Sequence, residues 1–263
     1  MWVGHGSGVH HSEAALRAIR ATVKRILPRD WWDTLRRLRR RSPYLVSPKA
    51  MRHLQRMKEQ DFSPGIVIDV GAAHGDWTRS CRRIFPDARF ILLEPLLDYE
   101  EELAALANHE RIEYIRAAAG RTKGDLPLLV PKDPGGSSFL PASRRGDSYF
   151  KRSVIVPVVP LASLDVPEET SLLKLDVQGY ELEVLAGAGR LLHQVEVIVA
   201  ECSLYPFQQR IPLIHETIQH VVSLGFSLYD VADEMRWPSG MLAQMDLIFV
   251  ASRSQLLHSR RWG

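Results

Sequence analysis

From about residue 62 onward, short apolar runs alternate with stretches whose apolar positions recur at helical spacing. Ile66 to Val70 predicts a first strand, Arg79 to Ile84 part of the helix after it, and Phe90 to Leu93 a second strand. Tyr99 to Ala107 predicts a helix and Ile112 to Ala118 a third strand. Leu172 to Leu175 and Glu181 to Leu192 form the next strand and helix, followed by Val195 to Ala200 and Leu213 to Leu224. Phe226 to Val231 and Met245 to Val250 then follow one another with no helix-length pattern between them. Strands alternating with helices imply an α/β fold on a mostly parallel sheet, and the closing pair implies one antiparallel strand at its end. A Pro/Gly/Ser-rich interval from Pro131 to Gly146, with Val154 to Val159 as a further short strand, is an insertion between the third and fourth strands. Insertions of this kind at a sheet edge commonly carry function.

The chain before this pattern is of a different kind. Residues 1–12 are rich in Gly and His and have no apolar period, so they are expected to be disordered or a cloning remnant and to lie outside the fold. Residues 13–61 read as a basic helical extension. Leu16, Ile19, Val23, Ile26 and Leu27 recur at helical spacing, and Pro28 ends that pattern. A second short helix carries Trp31, Trp32, Leu35 and Leu38 beside Arg36, Arg37, Arg39, Arg40 and Arg41, and a third spans about Pro48 to Gln60. Two readings of residues 16–41 stay open. The helices pack their apolar side on the main body and leave the arginines solvated, or they rest on an anionic membrane surface or hold a lipid-linked acceptor.

Charge sharpens this division. The net +3 of the 263 residues hides fourteen Lys or Arg against four Asp or Glu in residues 1–60, leaving 20 against 27 for the rest. A mildly acidic body argues against a nucleic-acid substrate. The two cysteines, Cys81 and Cys202, are far apart and in no Cys-x-x-Cys pair, so they are expected as core residues. No apolar run reaches the roughly 18 residues of a membrane-spanning helix, and no signal-like block opens the chain; a cytoplasmic location, with peripheral membrane contact under the second reading above, is the expectation.

In open α/β sheets ligands bind beyond the carboxyl ends of the strands, and four strand ends carry candidate chemistry. The first strand runs into Asp69, Val70, Gly71, Ala72, Ala73, His74, Gly75, Asp76, Trp77 and Thr78. Gly71 and Gly75 permit a sharp turn and close approach of a ligand. Asp69 and the Gly-x-x-x-Gly spacing separate this loop from the Gly-x-Gly-x-x-Gly dinucleotide fingerprint. Glu94, followed by Pro95, ends the second strand 23 residues after Gly71, a position suited to accept ribose hydroxyls of an adenosine ligand. Asp176 ends the central strand, with Gly179 and Glu181 at the entry to the following helix, and Glu201 ends the fifth strand.

Together with Ser137, Ser138 and Phe139 in the insertion and Val184, Leu185, Gly187 and Ala188 after the Asp-x-Gln-Gly-x-Glu segment 176–181, these residues resemble the FkbM family of S-adenosylmethionine-dependent methyltransferases over about residues 62–251. The resemblance implies a class I methyltransferase fold, Rossmann-like, with a mostly parallel seven-stranded sheet, one antiparallel strand and N-terminal helices, so that 62–263 is the methyltransferase domain. It implies S-adenosyl-L-methionine as cofactor, held by Asp69, Gly71, Ala72, Gly75, Thr78, Glu94, Pro95, Ala118 and Asp176. It further implies an O-methyltransferase acting on a hydroxyl of a sugar, glycolipid or natural-product acceptor selected by Ser137, Ser138 and Phe139. Ala73 departs from the family, whose members usually have Asn there.

A hydroxyl acceptor benefits from a base. Asp176 is the preferred one, with Glu181, Glu201 and His74 as alternatives, and Asp246 reaches the same rim. His193, His215 and His220 lack metal-ligand spacing, and no metal is expected. The rival readings are a nicotinamide-dependent oxidoreductase or epimerase, opposed by Asp69 and the missing third glycine, and a noncatalytic cofactor-binding module, opposed by the presence of Glu94 and Asp176.

Overall fold

The computed structural model describes residues 48–141, 149–167, 169–237 and 239–257. The expectations for residues 1–12 and for the basic helices of 16–41 lie outside the described residues, as does part of the 131–146 interval.

The described chain runs α1 (Pro48–Lys58), β1 (Ile66–Val70), α2 (Asp76–Ile84), β2 (Arg89–Leu93), α3 (Glu100–Ala107) and β3 (Ile112–Ile115). The short strands β4 (Ala118–Ala119), β5 (Gly124–Pro131) and β6 (Phe150–Val159) come next. Then follow β7 (Ser171–Leu175), α4 (Glu181–Ala186), β8 (Val195–Ser203), α5 (Ile214–Ser223), β9 (Phe226–Arg236) and β10 (Leu242–Ala251). Seven strands form one sheet in the order β3-β2-β1-β7-β8-β10-β9. The β1, β2, β3, β7 and β8 neighbours pair in parallel, whereas β10 is antiparallel to both β8 and β9. This is the class I methyltransferase sheet, mostly parallel with one antiparallel strand.

Both faces of the sheet are covered, which explains why its central strands are apolar without alternation. Val67, Phe90, Leu92, Leu172, Val197 and Ile248 meet Leu54 and Met57 of α1, Cys81 of α2 and Leu103 of α3 on one face. Ile68, Ile91, Leu93, Leu173 and Ile198 meet Val184 and Leu185 of α4 and Val221 of α5 on the other. Each fully buried Leu or Ile contributes about 1.5–3 kcal/mol. Helix α1, read from sequence as part of the basic extension, is thus built into the core of the body, and the described residues belong to one compact unit. Cys81 and Cys202 are both buried and free. Among the described residues no helix is long and apolar enough to cross a membrane.

Three elements differ from the sequence reading. The third strand stops at Ile115, because the Ala117 amide donates back to the Ile115 carbonyl at 2.8 Å and turns the chain out of the sheet. Ala118, expected at the tip of that strand, instead pairs with Val158 in a second sheet of order β4-β6-β5. Within that sheet β5 is a strand that Gly124, Pro127 and Pro131 obscure in the sequence; it pairs with β6 along its length. The helix expected over Glu181 to Leu192 breaks after Ala186 and resumes as a 3-10 turn over Gly189–His193, as the two glycines at 187 and 189 dictate.

Candidate functional site

The tips of β1, β2, β7, β8 and the start of β10 lie side by side at one edge of the sheet. Their loops are interlocked. The amides of Gly71 and Ala72 donate to the Leu93 carbonyl at 2.9 and 3.2 Å, and the Asp176 amide donates to the Val70 carbonyl at 3.1 Å. Gly71 has φ +78, and a Cβ there would stand 1.9 Å from the Asp176 carbonyl oxygen. Only glycine allows the loop after β1 to pass this close to the loop after β7.

On the β1 and β2 side both strand-end carboxylates bond to the protein itself. Asp69 is fully buried; its Oδ2 accepts from Thr78 Oγ1 at 2.7 Å and its Oδ1 pairs with Lys174 Nζ at 3.2 Å. Thr78 is equally buried, so this pair braces the entry to α2 from within. Glu94 is 6% exposed and accepts from the amides of Ala73 at 3.1 Å and Leu96 at 3.0 Å. Burial pushes its carboxyl up to about 7, against the two amides and Lys174. Pro95, half-buried, spans the turn between Glu94 and the Leu96 amide that Glu94 holds. Ala73 takes φ +45, a left-handed conformation in which Asn is at home and Ala is strained, which gives the family's Asn a conformational reason. His74 is engaged by a helix α3 acid and not by the strand-end carboxylates: its Nδ1 lies 2.7 Å from Glu102 Oε2, and its ring packs edge-on against Tyr99.

The β7, β8 and β10 side is arranged differently. The Asp176 side chain is 40% exposed, with Oδ1 accepting from Gln178 Nε2 at 3.1 Å and Oδ2 3.5 Å from Lys174 Nζ. Glu201 Oε2 accepts from Gln178 Nε2 and from Gln244 Nε2, both at 2.8 Å. Asp246 sits directly opposite Glu201 in the β8–β10 register. Burial, reinforced by Asp176, Asp246 and Glu181, holds the Glu201 carboxyl well above the carboxylate range. Burial and Asp176 raise Asp246 to about 6. Glu181 is 5% exposed and is spent on the backbone: its Oε1 accepts from the amides of Val177 at 3.1 Å and Gly179 at 3.2 Å. Its carboxyl is raised to about 7 by burial, the amides opposing.

The insertion reaches this loop. Buried Ser138 donates from Oγ to the Gln178 carbonyl at 2.8 Å, and Phe139 packs on Tyr180 at 4.8 Å between ring centroids. Ser137 closes its own turn on the Pro134 carbonyl at 2.6 Å. Gly179, at φ +98, fits beneath Leu140 and Ile211, where a Cβ would come within 3.0 Å of each side chain.

The same loops carry a family signature: the profile of the methyltransferase FkbM domain matches residues 69–228. The chain belongs to the FkbM methyltransferase family. As a member of that family it is a methyltransferase that uses S-adenosyl-L-methionine. No curated protein matches it. Similar solved structures include the precorrin-6y C5,15-methyltransferase from Geobacter metallireducens GS-15, at 12% identity and TM-score 0.42 over 80% of this chain and 92% of that one. The N-methyltransferase NodS from Bradyrhizobium japonicum WM9, in complex with S-adenosyl-l-homocysteine, is similar at 8% identity and TM-score 0.48 over 81% and 91%. The Burkholderia thailandensis 1,6-didemethyltoxoflavin-N1-methyltransferase is similar at 12% and 0.44 over 95% and 93%.

In this FkbM methyltransferase the residue that joins the two sides is Lys174, which the sequence reading passed over. It is 7% exposed, donates to the Gly71 carbonyl at 2.9 Å and pairs with both Asp69 and Asp176. Burial works against its charge, but the two aspartates outweigh it and raise its pKa above the usual lysine value. The signal was a lysine inside an otherwise apolar central strand, where lysine is almost never buried unless paired. Among the described residues no group of three His, Cys, Asp or Glu is placed to hold a metal ion.

Proposed function

We propose that this enzyme methylates a hydroxyl oxygen of a small or glycan-like acceptor, with Asp176 taking the proton. The observation that carries the reading is the Asp176 carboxylate, 40% exposed at the tip of the central strand and flanked by the carboxyls of Glu201 and Asp246. A hydroxyl is a poor nucleophile until a base relieves it of its proton. An amine in the same surroundings is stabilised as an ammonium, which has no lone pair to donate. A half-exposed carboxylate at Asp176 therefore favours oxygen over nitrogen.

S-adenosylmethionine supplies, when bound, a methyl group on a sulfonium whose departure leaves a neutral thioether. The donor set of the chain fits that ligand. Glu94 uses one lone pair on each oxygen for the Ala73 and Leu96 amides and keeps capacity to accept from two ribose hydroxyls. Strand β1 carries a buried acid, Asp69, beside the loop where a pyrophosphate would require a free amide cradle. Gly71, Ala72 and Gly75 line its turn. Asp176 then holds the acceptor oxygen by its proton and receives that proton as the oxygen bonds to the methyl carbon. Most of the acceleration comes from alignment, since the leaving thioether needs no acid.

The test is methyl transfer from tritium-labelled S-adenosylmethionine to a panel of sugars and glycosides, with matched amines alongside. Asp176→Asn is expected to lower turnover on the accepted hydroxyl compound by about 10²–10⁴-fold, the usual contribution of a general base, and to affect turnover more than it affects the unfolding midpoint. Wild-type rates in that variant, or transfer confined to the amines, would refute the reading.

A further inference from the structure

The Asp176 and Glu201 carboxyls lie at the tips of neighbouring strands, and two acids brought together need something between them that donates to both. Here that something is one side chain. Gln178 Nε2 reaches Asp176 Oδ1 at 3.1 Å and Glu201 Oε2 at 2.8 Å, and a primary amide has two N–H donors to give. Its backbone is held in a conformation that glutamine rarely adopts, φ +52. Three hydrogen bonds maintain it: Ser138 Oγ on its carbonyl, and Glu181 on the amides to either side, those of Val177 and Gly179. A strained residue over-determined by its neighbours, with its side chain fixed between two carboxylates of a reaction site, is the pattern expected of a positioning group. Gln244 completes the arrangement by donating to the same Glu201 oxygen. That leaves Oε1 of Glu201 and Oδ2 of Asp176 as the less committed oxygens of the pair.

We propose that Gln178 is a positioning residue whose amide sets Asp176 and Glu201 at a fixed spacing on the acceptor side, so that the acceptor meets two aligned carboxylates. The proposal rests on the reading of Asp176 as proton acceptor. It also gives the insertion a role beyond covering the crevice: through Ser138, the 137–140 segment holds the backbone from which Gln178 reaches the pair.

The test uses the full chain and needs no acceptor. Carbon-13 NMR follows the carboxyl carbon of Glu201 across pH, assigned with Glu201→Gln, in wild type and in Gln178→Leu. Calorimetry with S-adenosylhomocysteine and thermal unfolding accompany it. In Gln178→Leu the Glu201 midpoint is expected to rise by about one pH unit or more, because one of its two amide donors is lost. The affinity for S-adenosylhomocysteine is expected to stay within about threefold, since the hydrogen bonds lost are on the acceptor side. An unmoved Glu201 midpoint overturns the proposal. So does a combined loss of S-adenosylhomocysteine binding and of several degrees in unfolding temperature, which would make Gln178 a brace of the loop. Failure of the parent reading shows elsewhere, as methyl transfer that survives in Asp176→Asn while the Glu201 titration still responds to Gln178→Leu.

Discussion

The two halves of the crevice use the same chemical group in opposite ways. Under β1 and β2, Asp69 and Glu94 are buried and their oxygens are taken up by Thr78, Lys174 and two backbone amides. Under β7, β8 and β10, Asp176, Glu201 and Asp246 confront one another, the first two share the Gln178 amide, and the last two are raised in pKa by burial and by neighbouring acids. The first half is a set of acids that shape a loop. The second is a set of acids gathered close to one another, with the Asp176 side chain 40% exposed. Carboxylates at strand ends are thus no single signal: what they do depends on whether the protein has already satisfied them.

Lys174 is where the two halves meet, and its removal is the severest way to break the contrast. Lys174→Met leaves Asp69 fully buried without its counter-charge, and the expected loss of stability is about 3–5 kcal/mol, read by denaturant unfolding. Adding Asp69→Asn is expected to recover part of that loss, since the stranded charge is then gone. A single variant as stable as wild type would mean that Lys174 does not join the halves.

The next effect is in pH. Glu94 and Glu181 each have a folded-state value of about 7 against an ordinary 4.5. A carboxyl raised in the folded state favours folding fully below its unfolded value and loses that advantage as pH climbs through the folded one. Between about pH 5 and pH 8 each is expected to cost the fold at most about 3 kcal/mol. Thermal midpoints should therefore fall across that window, and Glu181→Gln should flatten the fall. A midpoint that rises instead would show that the amides on these carboxyls outweigh their burial.

The smallest effect sharpens the picture of the loop after β1. Ala73→Asn places in the left-handed position a residue that tolerates it, and a gain of about 0.5–1 kcal/mol is expected in unfolding experiments. A loss would mean that the Ala73 side chain, which packs against the core, matters more than its φ.

These differences explain what could be read from the chain. The sheet was legible because β1, β2, β7 and β8 are buried on both faces and so are apolar at most positions. The strand ends were legible because Gly71, Glu94, Asp176 and Glu201 interrupt apolar runs. Lys174 was not, since a charge within a strand reads as solvent-facing until its two aspartates are in view. Gln178 was quoted within a motif without a role, because the second carboxylate it serves lies 23 residues on, in another strand. Ala118 was misplaced because a tight turn at Ile115 leaves no trace in hydropathy. Strand β5 was missed because its prolines argue against a strand, although an edge position in a small sheet admits them.

The small sheet has one further consequence. Its chain departs after Ala119 and returns at Val159, and the two points are tied by the Gly120 amide on the Val159 carbonyl at 3.1 Å and by the Ala118–Val158 pairing. An excursion whose ends are already fastened together can grow or shrink at a cost that rises only with the logarithm of its length. Changes of length between those fasteners, away from Leu128, Val130 and Val156 that pack in the core, therefore cost little and leave the parent sheet its register.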